Sequence, residues 1–175
     1  MRIIAGEWKG RRLKALKGRD IRPTSDRVRE AWMSALGPDL PGARIVDLFA
    51  GSGALGLEAL SRGALEVFFV ERARGALRVL RRNVDLVGAG DRCRILSRDV
   101  YRFLDRAEAG DFDIALADPP YGEGHAARLL ERFRQVPFAR ALWVEHRWTD
   151  SIPDLAGLEQ RRYGDTIITI ATSDE

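Results

Sequence analysis

The chain has 175 residues, 45% of them hydrophobic and 31% charged, with a net charge of +3, one cysteine and two histidines. That balance describes a globular domain with its own core and excludes a disordered chain, an internal disulfide, a cysteine-rich zinc site and a membrane span of about 20 apolar residues. The opening Met1–Glu7 has no apolar signal core, so the expectation is a cytoplasmic protein, and nothing demands more than a monomer.

Charge is unevenly spread. Residues 1–29 hold ten basic and three acidic side chains, a local charge of +7, and the remainder carries −4. A basic extension on a mildly acidic body points to a polyanion met by one end, with Arg2, Lys9, Arg11, Arg12 and Lys14 as candidate contacts. A merely solvated basic surface is the competing explanation.

In chain order, residues 3–16 predict a short basic hairpin around Gly6–Gly10. Pro23-Thr24-Ser25-Asp26 starts a helix with Thr24 or Ser25 as cap, and Val28, Ala31, Trp32 and Leu36 follow at helical spacing until Gly37-Pro38 ends it. Strands are then predicted over 44–49, 65–70, 93–96, 112–117 and 141–144. They alternate with helices over 54–62, 73–87, 100–104 and 126–133. A last pair, 158–163 and 166–171, turns at Gly164-Asp165. Alternation of this kind predicts an α/β fold with a mostly parallel sheet of seven strands and a terminal antiparallel hairpin. The boundary between the extension (1–40) and the α/β domain (41–175) falls near Leu40–Gly42.

The first long strand runs into Asp47-Leu-Phe-Ala-Gly51-Ser-Gly53-Ala-Leu-Gly56 and then a helix. Glycines Gly51 and Gly53 let the backbone approach a ligand, and the helix N-terminus offers free amides. Such a loop alone fits a dinucleotide site or an unliganded turn. Glu71, 20 residues beyond Gly51, can accept from two ribose hydroxyls. Asp47 can meet a cationic amino group directly or through the loop. A carboxylate beside a pyrophosphate would serve no purpose, which favours the cationic, phosphate-free S-adenosylmethionine. Asp99 is placed to accept from an adenine amino group beside the Val100 amide, and as a helix cap it can do both.

The fourth strand of the α/β run ends in Asp118-Pro119-Pro120-Tyr121. Two prolines stop the sheet and hold an extended backbone. Asp118 and the Pro119 carbonyl can accept both N–H groups of an exocyclic amine while Tyr121 stacks on the flipped base. Hydrogen bonds at both N–H groups favour a pyramidal nitrogen aimed at the methyl group, so positioning supplies much of the catalysis, and Asp118 can take the proton. The structural alternative is a plain turn at a strand end.

These residues resemble the bacterial 16S ribosomal RNA methyltransferases that act on the guanine 2-amino group. The resemblance covers nearly the whole chain: Met1–Leu13, Arg22–Glu30, Asp47–Ala64, Val70-Glu71 and Asp118–Tyr121. It implies a Rossmann-like class I methyltransferase domain with a small N-terminal extension and a substrate within the small ribosomal subunit. It also makes Thr24 and Arg27 candidates for lining the cofactor or base pocket, where the residues alone suggest a helix cap and a surface charge. The Asp-Pro-Pro-Tyr element is shared with adenine 6-amino methyltransferases, so adenine in DNA or RNA is the rival target. A dinucleotide-dependent dehydrogenase would leave that element unexplained. A non-catalytic RNA-binding module is opposed by the intact Asp118, Tyr121, Glu71 and glycine loop.

Overall fold

A computed structural model describes residues 1–16 and 26–173. After helix α1 (Asp26–Ala35) the chain alternates: β1 (Arg44–Leu48), α2 (Ala54–Ser61), β2 (Glu66–Glu71), α3 (Arg74–Val87), β3 (Cys93–Ser97), α4 (Val100–Leu104), β4 (Phe112–Ala117), α5 (His125–Gln135) and β5 (Ala139–Arg147). It closes with β6 (Glu159–Tyr163) and β7 (Thr166–Thr172). The seven strands lie in the order β3-β2-β1-β4-β5-β7-β6. β1 to β5 are parallel, and β7 runs antiparallel to both β5 and β6.

The order reverses between β1 and β4, the place where an open α/β sheet leaves a crevice at its strand ends. Pairing of Leu48 with Ala117 sets the loop after β1 beside the loop after β4. Pairing of Leu48 with Val70 brings the end of β2 alongside. The apolar run of β1 is buried on both faces from Ile45 onward, as a central parallel strand must be.

Each face of the sheet has its own core. One gathers α2 and α3 side chains (Leu57, Leu60, Leu80, Val84) with Trp32 and Met33 of α1. The other gathers α4 and α5 (Leu104, Leu129, Leu130, Phe133). The N-terminal extension belongs to the first: Ile3, Trp8 and Leu13 are buried in it.

The predicted hairpin is present, with Ile3 N–H donating to the Arg11 carbonyl (2.9 Å), Leu13 N–H to that of Met1 (3.1 Å) and a bridge from Arg2 to Arg12. It is fastened to α2. Glu58, fully buried, accepts from the amides of Ile4 (2.8 Å) and Ala5 (3.0 Å), and Ser61 Oγ accepts from Trp8 N–H (2.9 Å). A Cβ on Gly6 would lie 1.7 Å from the Ser61 carbonyl, so only glycine permits that approach.

One strand differs from expectation. β5 runs on through Glu145, His146 and Arg147, where the polar residues suggested an end at Val144. The side chains of Glu145 and His146 find hydrogen-bond partners in half-buried Tyr121 and buried Thr169 (2.7 Å to His146 Nε2), so their polarity does not break the ladder with β7. The helix after Thr24 and Ser25 begins, as described, at Asp26; both proposed caps lie outside the described residues.

Candidate active site

A cleft of about 1370 Å³ opens at the carboxyl ends of β1, β2 and β4. Asp47, Gly51, Glu71, Asp99, Val100 and the whole turn Asp118–Tyr121 line it. Four segments distant in the chain therefore converge on one concavity, which is what a cofactor site with an adjoining substrate pocket requires.

The glycine loop is shaped from below. Phe49, just after β1, adopts φ +59°, a left-handed conformation that costs a non-glycine residue free energy. It starts a turn that continues through Gly51 (φ +56°) and Gly53 (φ +81°). Gly53 lies beneath the loop surface, where a Cβ would meet Leu80 Cδ1 at 2.4 Å. Gly56 sits against the Phe69 ring, 2.3 Å from where its Cβ would be; its role is to let α2 pack on β2.

The carboxylates divide the work. Asp47, 1% exposed, accepts from the Gly56 amide (3.0 Å) and so pins the first turn of α2. Its reach toward the cleft therefore runs through the loop it anchors. Burial, and then the nearby Asp118 and Glu71 carboxylates, push its carboxyl up to about 8 against the opposing pull of the Gly56 amide.

Glu71 accepts from the Gly51 amide (2.9 Å) through one oxygen and from the amides of Arg72 and Ala73 (2.8 Å each) through the other. It therefore ties the glycine loop to the start of α3. Three of roughly four acceptor sites are occupied, so the expected pair of ribose bonds has room for about one unless an amide yields.

Asp99 caps α4, with one oxygen receiving Tyr101 N–H (3.0 Å) and Arg102 N–H (3.2 Å), and the other facing Arg72 (3.2 Å). Buried Val100 lines the cleft beside it.

At the Asp118–Tyr121 turn, Pro119 is buried and Pro120 exposed. The Tyr121 hydroxyl donates to Glu145 Oε1 (2.5 Å), and the Arg147 guanidinium lies 5.0 Å from the ring centre. Glu145 is 1% exposed. Burial and the Glu145 carboxylate hold the phenol well above its usual range, so it stays a neutral donor. The turn is further walled by His125, whose Nδ1 is 2.7 Å from the Tyr101 hydroxyl and whose ring stacks on that phenol at 5.7 Å, with Phe49 at 4.9 Å.

Four residues here were not singled out from sequence. Glu145 carried a signal, an acid in an apolar strand. Asn83, whose buried side-chain amide donates to the Ser52 carbonyl of the glycine loop (2.9 Å), carried a similar one, a polar group on the Leu80–Val84 face of α3. His125 and Phe49 carried none. Arg27, a candidate for the pocket, is exposed on α1 and is not among the cleft-lining residues. Arg29, about 200° further around the helix, lines the cleft instead, 1% exposed. Its Nη2 meets the Arg2 carbonyl (2.6 Å) and Asp26 (3.0 Å), while Nε and Nη1 have no hydrogen-bond partner among the described residues. Arg2, Lys9, Arg11, Arg12 and Lys14 are all exposed, and Lys14 also lines the cleft. No group of three or more metal-ligating side chains occurs among the described residues, and no described helix is long and apolar enough to cross a membrane.

The family described as conserved hypothetical protein 95 matches residues 1–172. Ribosomal RNA small subunit methyltransferase D of Escherichia coli is 36% identical over 157 residues, covering 87% of this chain and 78% of that protein. A hypothetical protein of Thermus thermophilus superposes with a TM-score of 0.83 at 31% identity, covering 99% of each chain. A 16S rRNA N2-guanine methyltransferase of T. thermophilus, solved with S-adenosylmethionine and guanosine, shares the fold: TM-score 0.68, 22% identity, over 88% of this chain and 44% of that one.

Proposed function

The chain belongs to the conserved hypothetical protein 95 family, and from that premise we propose that it methylates the exocyclic 2-amino group of a guanine in 16S rRNA, within the small ribosomal subunit, using S-adenosylmethionine. It acts as a cytoplasmic monomer. The observation that carries the reading is the convergence of the glycine loop, three carboxylates and the Asp-Pro-Pro-Tyr turn on one cleft. The sequence and name of the E. coli relative support the RNA class. Guanine rather than adenine rests on the resemblance of the Met1–Leu13 and Arg22–Glu30 segments, because Asp118–Tyr121 suits both amines.

The donor set fits this cofactor. Asp47, Glu71 and Asp118 lie close enough that mutual repulsion helps raise the Asp47 carboxyl. These carboxylates at the strand ends suit a ligand with sulfonium and ammonium charges. Asp47, Gly51, Glu71, Asp99 and Val100 would hold it, with Gly53 shaping the loop from beneath. When bound, it supplies a methyl group already activated on a sulfonium.

The chain's own residues do the rest. Asp118 and the Pro119 carbonyl accept the two amine N–H groups and aim the nitrogen lone pair along the line of transfer. Tyr121 offers its ring to the base, and its hydroxyl is held by Glu145, which anchors the far end of the ring. Asp118 would take up the proton that the amine loses when the methyl–sulfur bond breaks in favour of the methyl–nitrogen bond, leaving a neutral thioether, and would pass that proton to water.

The test uses purified protein, tritiated S-adenosylmethionine and small subunits lacking endogenous methylation, followed by nucleoside analysis. Label in 2-methylguanosine is expected. Label in 6-methyladenosine would keep the mechanism and replace the base; no transfer to subunits at all would sink the proposal.

A further inference from the structure

We infer that the RNA phosphate backbone docks on a composite face made jointly by the N-terminal hairpin and helix α3, and not on the hairpin alone. The inference rests on the rRNA reading above and adds where that substrate lies.

The hairpin runs along α3. The Arg11 guanidinium donates to the Leu86 carbonyl (3.1 Å), and Lys14 exchanges backbone bonds with the Asn83 amide (2.8 and 3.0 Å). These contacts bring the exposed Arg11, Arg12 and Lys14 beside the outer face of α3. That face holds Arg74, Arg78, Arg81 and Arg82, all exposed, with Asp85 the only acid of the helix. Arg74, Arg78 and Arg81 follow at spacings of four and three, one above another at about 5.4 Å per turn.

None of these four arginines makes an ion pair among the described residues. Guanidinium groups kept free of internal carboxylates are available to phosphate oxygens. The face also leads to the chemistry, since Lys14, Arg78 and Arg82 line the mouth of the cleft. A strand tracking these charges is delivered to Asp118–Tyr121.

Helix α5, in the opposite layer, is also arginine-bearing but is built differently. Its Arg132 is spent on the Leu104 carbonyl (2.8 Å), and Arg128 lies 3.5 Å over the Tyr101 ring. Glu131 interrupts the row. General arginine richness would make the two faces equivalent, and they are not.

The test compares Arg74→Glu/Arg81→Glu with Arg134→Glu/Arg140→Glu. The second pair makes the same change in net charge at exposed positions on α5 and β5. Neither pair lines the cleft. Binding to fluorescently labelled small ribosomal subunits is measured between about 50 and 200 mM salt, with cofactor affinity as the check of folding. The α3 pair should weaken binding on the order of tenfold at the low-salt end and reduce the log–log salt slope by about one to two. The control pair should change affinity by less than about threefold on the same scale. Equal losses in both variants, or wild-type binding by the α3 variant, would overturn the inference. Wild-type protein that binds subunits but methylates no base would refute the proposed function while leaving the surface to be judged by the slopes. Failure of wild-type protein to bind would overturn both.

Discussion

Asn83 and Lys14 exchange two hydrogen bonds: the Lys14 amide donates to Asn83 Oδ1 at 2.8 Å, and Asn83 Nδ2 donates to the Lys14 carbonyl at 3.0 Å. The same Nδ2 donates to the Ser52 carbonyl at 2.9 Å. One fully buried amide on α3 thus joins the basic hairpin to the glycine loop.

Asn83→Ala removes three bonds and should destabilise the protein by roughly 1–3 kcal/mol, read as a lower urea midpoint. Cofactor affinity and RNA affinity should fall together, because both the loop and the hairpin lose their anchor. Asn83→Asp should be worse, since a carboxylate would face two carbonyl oxygens. A variant that loses RNA affinity alone would contradict the joint anchoring.

Asp118→Ala should lower kcat by about a hundredfold or more and leave the cofactor dissociation constant within about tenfold, as measured by single-turnover kinetics and calorimetry. In the proposed reaction this residue meets the amine, whereas the loop bonds to Gly51 and Gly56 come from Glu71 and Asp47. Undiminished turnover would remove Asp118 from the reaction.

Tyr121→Phe keeps the ring and deletes the hydroxyl that donates to the buried Glu145. Thermal unfolding should report a loss of about 1–3 kcal/mol with a modest fall in kcat/KM. Tyr121→Ala should also lose the stacking contribution, on the order of 1–3 kcal/mol. Equal kcat/KM in the two variants would exclude the ring as a stacking platform.

Asp47 sets a pH dependence with a definite sign. Its carboxyl is raised from 3.8 to about 8 in the folded protein, so the folded state holds a proton that the unfolded chain releases. The associated stability is fully present below about pH 4 and is lost as pH rises through about 8. Asp47→Asn should therefore gain stability relative to wild type as pH rises across that window, followed by urea titration. A cationic cofactor draws the Asp47 pKa down, so binding at pH 7 should release a proton. Calorimetry in buffers of different ionisation enthalpy measures it; the Asn variant should release none, and equal release in both would refute the assignment.

Gly6→Ala would force a Cβ into the Ser61 carbonyl and hold a left-handed backbone at φ +84°. The hairpin should lift from α2 and carry Trp8 out of the core, at a cost of roughly 2–4 kcal/mol. Hydrogen exchange should quicken at Ile4 and Ala5, whose amides Glu58 holds. Unchanged protection there would show that the close approach is dispensable.

The sheet, its parallel run and its terminal hairpin were legible in the sequence, because apolar period and turn residues act over a few neighbouring positions. The ends of β1 and β4 were legible for the same reason: glycines after Asp47 and prolines after Asp118 stop their strands locally. The stop at Val144 was misplaced, since Glu145 and His146 are strand residues only because Tyr121 and Thr169, 24 and 23 residues away, satisfy them.

The sequence by itself determined the elements and the chemical groups at the strand ends. The tertiary structure decided how those groups are used. Glu71 is occupied with three backbone amides, Asp47 acts through Gly56, Arg29 and not Arg27 reaches the cleft, and the basic hairpin is built into the core beside α3. Each of these depends on which distant segments the strand order sets side by side and which buried groups must find partners there. Local periodicity carries no information on that.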